Sequence, residues 1–139
     1  MSINYKDYPV LIVDDEEDFL AIFKRLGDTF DLETEQFPSV ALNKVMERTY
    51  CVIISDNKMR NSHEMPEDEQ AGVNFLKKVK EINDHPLRVL VTGWSKDGIS
   101  PSLSRFADIN MFIDKLDVIT DKEWDEALRK IISTHVKIH

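Results

Sequence analysis

The stretch Val10-Leu11-Ile12-Val13-Asp14-Asp15 decides the fold, because four consecutive apolar residues run directly into two carboxylates. An unbroken apolar run of this length is typical of a central strand in a parallel sheet, which is buried on both faces. Three further apolar runs end on a polar residue in the same way. They are Cys51-Val52-Ile53-Ile54-Ser55 before Asp56, Arg88-Val89-Leu90-Val91 before Thr92, and Met111-Phe112-Ile113-Asp114 before Lys115. The sequence therefore predicts four strands of one parallel sheet.

Helical patterns alternate with these strands along the chain. Phe19, Ile22, Phe23 and Leu26 recur at helical spacing after the first strand, and the capping box at 120–123 begins the last helix. Similar patterns predict helices from Pro38, around Phe75, and from Ser100-Pro101. The segment 32–37 alternates charged and less polar residues, which predicts a weak edge strand.

These alternating elements predict an α/β fold of the flavodoxin-like, doubly wound type. We expect five parallel strands in the order 2-1-3-4-5, with helices on both faces of the sheet. A chain of 139 residues without an interdomain linker is predicted to be a single domain, 1–139. The acidic stretch 60–70 has no period and contains Pro66, so it is predicted to be a long solvated loop.

Composition excludes several classes of function. A net charge of −8 argues against binding of nucleic acid or an anionic membrane, since both require a basic face. No stretch approaches the ~20 apolar residues of a membrane span, and no signal segment opens the chain. The single cysteine, Cys51, falls inside a predicted buried strand, which favours a structural role and a cytoplasmic location. The four histidines show no metal-ligand spacing, so zinc chemistry is not predicted.

The carboxyl ends of the predicted strands define a candidate site. In the order 2-1-3-4-5, strands one and three are neighbours, so Asp14, Asp15 and Asp56 share one corner. Each pair of carboxylates at 4 Å repels by about 1 kcal/mol in water and about 4 kcal/mol at a partly buried site. Such a cluster is typical of a site for a hard cation such as Mg²⁺. Asp56 could then act as a nucleophile toward phosphorus, with Lys115 and the Thr92 hydroxyl near the phosphoryl oxygens.

These residues resemble the receiver domain of bacterial two-component response regulators. The resemblance runs from about Val10 to Ile132, with all the signature positions in order. It implies phosphorylation of Asp56 by a sensor histidine kinase or a phosphotransfer protein. It also implies Mg²⁺, or alternatively Mn²⁺, held by Asp14 or Asp15, by Asp56 and by the backbone carbonyl of Lys58.

The resemblance also implies how the phosphoryl group is bound and read out. Thr92 and Lys115 are expected to bind it, and Thr92 with Phe112 to switch the face formed by the fourth helix, fifth strand and last helix. That face could serve an output domain, a target protein or a homodimer. Lys58 and Trp94 occupy the positions that flank water's approach to the phosphate, and we expect them to lengthen its lifetime. No enzymatic activity is expected beyond self-phosphorylation from phosphodonors and self-dephosphorylation.

Three features depart from the family pattern. Leu116 follows the lysine, and Arg60 follows Met59, where the family usually has proline. The connection from Met59 to Gly72 is also longer than usual. None of these departures removes a chemical group from the site.

Other functions fit the same predicted fold less well. A flavodoxin-type electron carrier needs a phosphate loop after strand one, whereas the acidic run 14–18 would repel a flavin phosphate. A haloacid-dehalogenase-like phosphatase needs a second aspartate two residues after the first, where this chain has Lys58. The alternative that stays open is a receiver-like interaction module that works without phosphorylation.

Overall fold

The central feature of the molecule is a sheet of five parallel strands in the order β2-β1-β3-β4-β5. The structure is a computed structural model that describes residues 2–93 and 109–139. Its sheet strands are β1 (Val10–Val13), β2 (Leu32–Glu35), β3 (Val52–Asp56), β4 (Leu87–Thr92) and β5 (Met111–Asp114). Its helices are α1 (Glu17–Arg25), α2 (Pro38–Glu47), α3 (Ala71–Ile82) and α4 (Asp121–Ile138). The predicted α/β, flavodoxin-like strand order is confirmed. The predicted helix from Ser100 and the residue Trp94 lie outside the described residues.

Two apolar layers cover the sheet, one on each face. Along β1, Val10 and Ile12 belong to the layer that contains residues of α1 and α4, while Leu11 and Val13 belong to the layer with α2 and α3. All four β1 side chains are fully buried, as the apolar run predicts. Full burial of such a side chain stabilises the fold by about 1.5–3 kcal/mol. The two layers therefore fix β1 at the centre of the domain.

The strand β2 lies at the edge of the sheet and pairs only with β1 among the described strands. Each of its four residues is partly exposed, which agrees with the predicted edge strand. The last helix, α4, begins with the predicted capping box, in which the Thr120 side chain accepts from the Glu123 N–H and the Glu123 carboxylate accepts from the Thr120 N–H. None of the described helices is long and apolar enough to cross a membrane.

The acidic segment after β3 is more ordered than predicted. Met59–Arg60 and Glu67–Asp68 pair as a short antiparallel hairpin, so the prediction of a structureless loop is wrong at both of its ends. The Asn61 amide donates to Asp68 Oδ2 at 3.0 Å, and the Asn61 carbonyl accepts from the Ser39 N–H at 3.1 Å. Two-residue strands are too short to show a period in the sequence. Residues 63–67 and Glu69 are exposed to solvent, as predicted for this segment.

Cys51 also differs from the prediction. It precedes β3, which begins at Val52, and its side chain is partly exposed rather than buried within the strand. Its backbone N–H donates to Pro9 O at 2.8 Å, and its carbonyl accepts from Leu87 N–H at 2.9 Å. These bonds place Cys51 at the amino edge of the sheet, opposite the edge where the carboxylates lie.

Candidate functional site

The carboxyl edge of the sheet brings the three predicted aspartates together. β1 and β3 pair in parallel with Val13 opposite Ser55, so Asp14, directly after β1, lies at the level of Asp56, the last residue of β3. One carboxylate oxygen from each of Asp14, Asp15 and Asp56 lies within 4.8 Å of the others. The geometry therefore forms the acidic cluster that the sequence predicts.

Asp14 is the most deeply buried member of this cluster, with 0% of its surface exposed. Its Oδ1 accepts from the Glu16 backbone N–H at 2.8 Å. Its Oδ2 lies 2.8 Å from the Lys115 ammonium, yet no donor in residues 2–93 or 109–139 approaches it with favourable hydrogen-bond geometry. Burial raises the pKa of Asp14, and the nearby Lys115 charge only partly opposes this.

Asp56 is 7% exposed and lies at the last position of β3. Its Oδ1 accepts from the Asn57 N–H at 2.9 Å, and its Oδ2 lies 3.5 Å from Lys115 Nζ. Burial, followed by repulsion from Asp14, raises the pKa of Asp56 to about 7, although Lys115 acts in the opposite direction. Without an added cation, this carboxyl is therefore only partly ionised near neutral pH.

Asp15 contacts Arg60, one of the residues that depart from the receiver-family pattern. The Arg60 backbone N–H donates to Asp15 Oδ2 at 3.3 Å, and the Arg60 Nε lies 3.7 Å from the same oxygen. A proline at position 60 would have no N–H to donate. Arg60 therefore ties the start of the hairpin to the acidic cluster and partly balances its charge.

Lys115 supplies the central positive charge of the site. Its N–H donates to the Thr92 carbonyl at 3.0 Å, which joins the ends of β5 and β4. Its ammonium also lies 3.6 Å from Glu16 Oε2 and 4.4 Å from the centre of the Phe19 ring. Burial alone would lower the pKa of Lys115, but its ion pairs with Asp14 and Asp56 outweigh that effect and raise it. Lys115 is therefore charged at neutral pH.

The remaining predicted residues occupy the surroundings of this cluster. Thr92 is buried at the end of β4, one position beyond Val91, the register partner of Asp56. Phe112 is partly buried and packs against the apolar layer of α2 and α3. Lys58 is partly exposed and lies between Asp56 and the hairpin. The roles assigned to these three residues stay predictions.

Two contributors to the site were not identified from the sequence. Glu16 faces Lys115, a contact that the acidic run 14–18 does not reveal in the sequence. Gly72 lies against the loop after β3, where a Cβ atom would meet Asp56 O at 2.0 Å. The Gly72 N–H donates to Asn57 O at 2.9 Å, so the first turn of α3 supports the backbone beside Asp56. In the sequence, Gly72 marks only the end of a long connection, and its contact with the Asp56 backbone is not predicted.

The donor set at this edge suits a hard divalent cation. Mg²⁺ prefers carboxylate and carbonyl oxygens together with water, and it seldom uses a cage made wholly of protein groups. Asp14, Asp15 and Asp56 offer oxygens of this kind, and Asp14 Oδ2 is a buried acceptor without a well-aligned donor in the described part of the chain. The residues present therefore fit Mg²⁺ or Mn²⁺.

Solved structures with the same architecture identify the fold. The response regulator receiver domain protein (CheY-like) of Methanospirillum hungatei JF-1 superposes with a TM-score of 0.73 at 18% identity, over 95% of this chain and 98% of that one. The signal receiver domain of an HD domain-containing protein from Pseudomonas fluorescens Pf-5 gives a TM-score of 0.74 at 19% identity, over 99% and 94%. The chemotaxis response regulator CheY4 of Vibrio cholerae gives 0.68 at 20% identity, over 89% and 98%.

Sequence comparison alone does not find this similarity. No family model matches the chain, and no curated protein matches it either. The similarity therefore rests on three-dimensional structure and on the order of the residues at the strand ends. The chain has the fold of a response regulator receiver domain.

Proposed function

We propose that this chain is a two-component receiver that accepts a phosphoryl group on Asp56 from a histidine kinase or a phosphotransfer protein. One observation carries the proposal. The ammonium of Lys115 and the carboxylates of Asp14, Asp15 and Asp56 converge at the edge of the sheet where an open α/β fold binds its ligands. The receiver fold supports the same function.

The proposed reaction is an in-line displacement at phosphorus. An Asp56 oxygen forms the new O–P bond while the P–N bond of the donor phosphohistidine breaks and the imidazole leaves. Mg²⁺, held by Asp14 or Asp15, Asp56 and the Lys58 carbonyl, would neutralise charge on the phosphoryl oxygens. Lys115 would pair with one of those oxygens, since its ammonium is already 3.5 Å from Asp56 Oδ2.

The ionisation of Asp56 makes the reaction depend on a cation. A carboxyl group with a pKa of about 7 is a poorer nucleophile than an ordinary carboxylate at neutral pH, because a large fraction of it carries a proton. A divalent cation beside Asp14 and Asp56 would favour the ionised form of both. We therefore expect phosphorylation to require Mg²⁺ or Mn²⁺.

The proposed output surface lies beside Lys115. Lys115 N–H bonds to the Thr92 carbonyl, so movement at Thr92 would reach β5 directly. Leu116 and Ile119, which follow β5, are 70% and 62% exposed and provide apolar area next to this connection. We propose that phosphorylation alters this surface for an output domain, a target protein or a second copy of the chain. The part of the predicted face that belongs to the helix predicted from Ser100 lies outside the described residues.

Incubation with acetyl phosphate tests the proposed reaction. The protein should gain the mass of one phosphoryl group in the presence of Mg²⁺ but not with a chelator, and Asp56→Asn should abolish the gain. Asp28→Asn, on an exposed turn away from the site, is the matched control and should be modified normally. Modification that persists in Asp56→Asn would contradict the assignment. An unmodified parent protein that still binds a partner would favour the interaction module that works without phosphorylation.

A further inference from the structure

The amino edge of the sheet, opposite the acidic cluster, gathers the single cysteine and three of the four histidines. Cys51 directly precedes β3, His85 lies just before β4, and His135 lies in the last turn of α4. One potential ligand atom from each of these three residues lies within 4.8 Å of the others. The chain thus brings three separate segments to one point.

The imidazole rings at this edge are in mutual contact. The ring centres of His85 and His135 are 5.1 Å apart, and the ring of His139 lies 4.4 Å from His85 and 4.6 Å from His135. If these three histidines were protonated, their positive charges would repel one another. Burial, with smaller contributions from His139 and His85, lowers the pKa of His135 to about 4, so His135 is neutral at physiological pH.

His135 has a buried nitrogen that needs a partner. The residue is only 3% exposed, and its Nδ1 meets no hydrogen-bonding group among residues 2–93 and 109–139. An unsatisfied buried polar atom destabilises a fold by about 1–3 kcal/mol, so such atoms are uncommon in native proteins. One ring nitrogen of His135 lies within 4.8 Å of a ring nitrogen of His85 and of Cys51 Sγ, and imidazole with thiolate is a donor set that transition metals bind.

We propose that Cys51, His85 and His135 bind a borderline-soft transition-metal ion, represented by Zn²⁺, with His139 beside them as a fourth donor. Thiolate and imidazole are the ligands that Zn²⁺ prefers, whereas the carboxylates at the other edge suit Mg²⁺. In a tetrahedral site with normal Zn–S and Zn–N bond lengths, ligand atoms lie about 3.3–3.7 Å apart. From the present upper limit of 4.8 Å, the ligand atoms would therefore have to approach one another by about 1.1–1.5 Å.

Ion binding at this site must release the thiol proton of Cys51, and the ion needs a route from solvent. Burial raises the pKa of the Cys51 thiol, so Zn²⁺ would displace the thiol proton as the Zn–S bond forms. His85 and His139 line a surface cavity of about 220 Å³ that is also bordered by Arg88 and Asn110. An ion could reach the histidines from this side.

The bound ion would connect parts of the chain that are distant in sequence. It would join the C-terminal turn of α4 to the segments that lead into β3 and β4. Ligand linkage then predicts that the ion stabilises the folded state, because the unfolded chain does not hold these three side chains together. The inference does not depend on phosphorylation of Asp56.

Cobalt substitution tests the site, with Mg²⁺ in excess to occupy the acidic cluster. Untagged, reduced protein should bind one equivalent of Co²⁺ and develop thiolate-to-cobalt charge-transfer absorption, which can arise only from the single Cys51. Zn²⁺ should displace the cobalt, remove this absorption and raise the melting temperature. Absence of the charge-transfer absorption would overturn the proposal.

Cys51 and His85 are partly exposed, so variants at these positions should still fold. The buried His135 is left unchanged. Cys51→Ser should abolish the charge-transfer absorption, and His85→Asn should weaken Co²⁺ binding by more than about tenfold. His63→Asn is the control, because this exposed histidine lies against Phe37, away from the cluster. Equal affinity in His85→Asn and His63→Asn would contradict the proposed ligand set.

Discussion

The ammonium of Lys115 lies 2.8 Å from Oδ2 of Asp14, a carboxylate with no exposed surface. Two opposing effects act on Asp14, since burial disfavours its charge and Lys115 favours it. The Lys115 ammonium places one positive charge next to the acidic cluster. This charge stabilises the folded protein when no metal ion is bound, and it also repels an approaching Mg²⁺.

Replacement of Lys115 by methionine tests this balance. Lys115→Met should reduce the free energy of unfolding in a chelator by up to about 3 kcal/mol, because Asp14 would be buried without its cation. Mg²⁺ should restore more stability to this variant than it adds to the parent. Lys122→Met, at an exposed position of α4, is the control and should change little. Equal stability of the two variants in chelator, measured by denaturant unfolding, would contradict the proposed role of the ion pair.

The pH dependence of stability should reveal the raised pKa of Asp56. Its pKa is about 7 in the folded protein and near 4 when unfolded, so the folded state holds an extra proton between these values. The free energy of unfolding of the metal-free protein should therefore fall as pH rises from 4 to 7, by up to about 1.4 kcal/mol per pH unit from this group. Asp56→Asn should remove that slope, whereas Asp28→Asn should keep it. Parallel curves for parent and Asp56→Asn would refute the raised pKa.

Mg²⁺ should raise the melting temperature by binding only the folded cluster. Each tenfold increase in Mg²⁺ above its dissociation constant should add about 1.4 kcal/mol to stability. Asp15→Asn should raise the stability of the metal-free protein because one repelling charge is lost. The gain should be smaller than for Asp56→Asn, since Asp15 also contacts the Arg60 N–H and guanidinium. A melting temperature that does not change in millimolar Mg²⁺ would exclude the proposed metal site.

The central sheet was predictable because its signal is local. The runs before Asp14, Asp56 and Thr92 contain enough consecutive apolar residues to define buried strands, and the strand order then places the carboxylates at one edge. The hairpin at 59–68 was missed because its strands have only two residues each. Glu16 was recognised as acidic, but its approach to Lys115 depends on the angle at which α1 leaves β1.

The cluster of Cys51, His85 and His135 could not be found from spacing. These residues are far apart in the sequence, and no pair follows a metal-binding motif. They meet only because the segments before β3 and β4 lie at the same edge of the sheet as the end of α4. The expectation of no metal-ligand spacing overlooks His135 and His139, which lie four residues apart at the end of the chain, a spacing that metal ligands use. Whether the cluster binds an ion is what the cobalt experiment tests.

The lifetime of the aspartyl phosphate should depend on Lys58 and Trp94. Water must approach phosphorus opposite the Asp56 oxygen, and in the receiver family these two positions flank that path. Trp94 is outside the described residues, and Lys58 is partly exposed just after Asp56. Trp94→Ala and Lys58→Asn should speed dephosphorylation, measured by loss of phosphoprotein after the donor is removed. Unchanged or slower rates in both variants would show that these side chains do not protect the phosphate.

Phosphorylation should change the environment of β5. If Thr92 moves toward the phosphoryl group, its bond to the Lys115 N–H carries that movement into the strand, and Phe112 would turn inward. Amide chemical shifts of 111–116 should therefore change on addition of beryllofluoride and Mg²⁺. The shifts should stay constant in Asp56→Asn. Changes confined to residues near Asp14 and Asp56 would refute this coupling.

The contact between Gly72 and Asp56 gives the last prediction. Alanine normally stabilises a helix relative to glycine by about 1 kcal/mol, and Gly72 lies in the first turn of α3. Here a Cβ would come within 2.0 Å of the Asp56 carbonyl oxygen and 2.7 Å of Asn57 Cα. These are backbone atoms, so the clash cannot be relieved by a change of rotamer.

We expect the clash to outweigh the gain in helix propensity. Gly72→Ala should destabilise the protein by about 1–3 kcal/mol, the usual range for overpacking, and should also slow phosphorylation of Asp56 because the backbone of Asp56 and Asn57 must shift. Gly27→Ala is the matched control, since its Cβ would lie at an ordinary 3.4 Å from Lys24 O, away from the acidic cluster. Denaturant unfolding and the rate of acetyl-phosphate labelling measure the two effects separately. If Gly72→Ala matches Gly27→Ala in both, the first turn of α3 does not position Asp56.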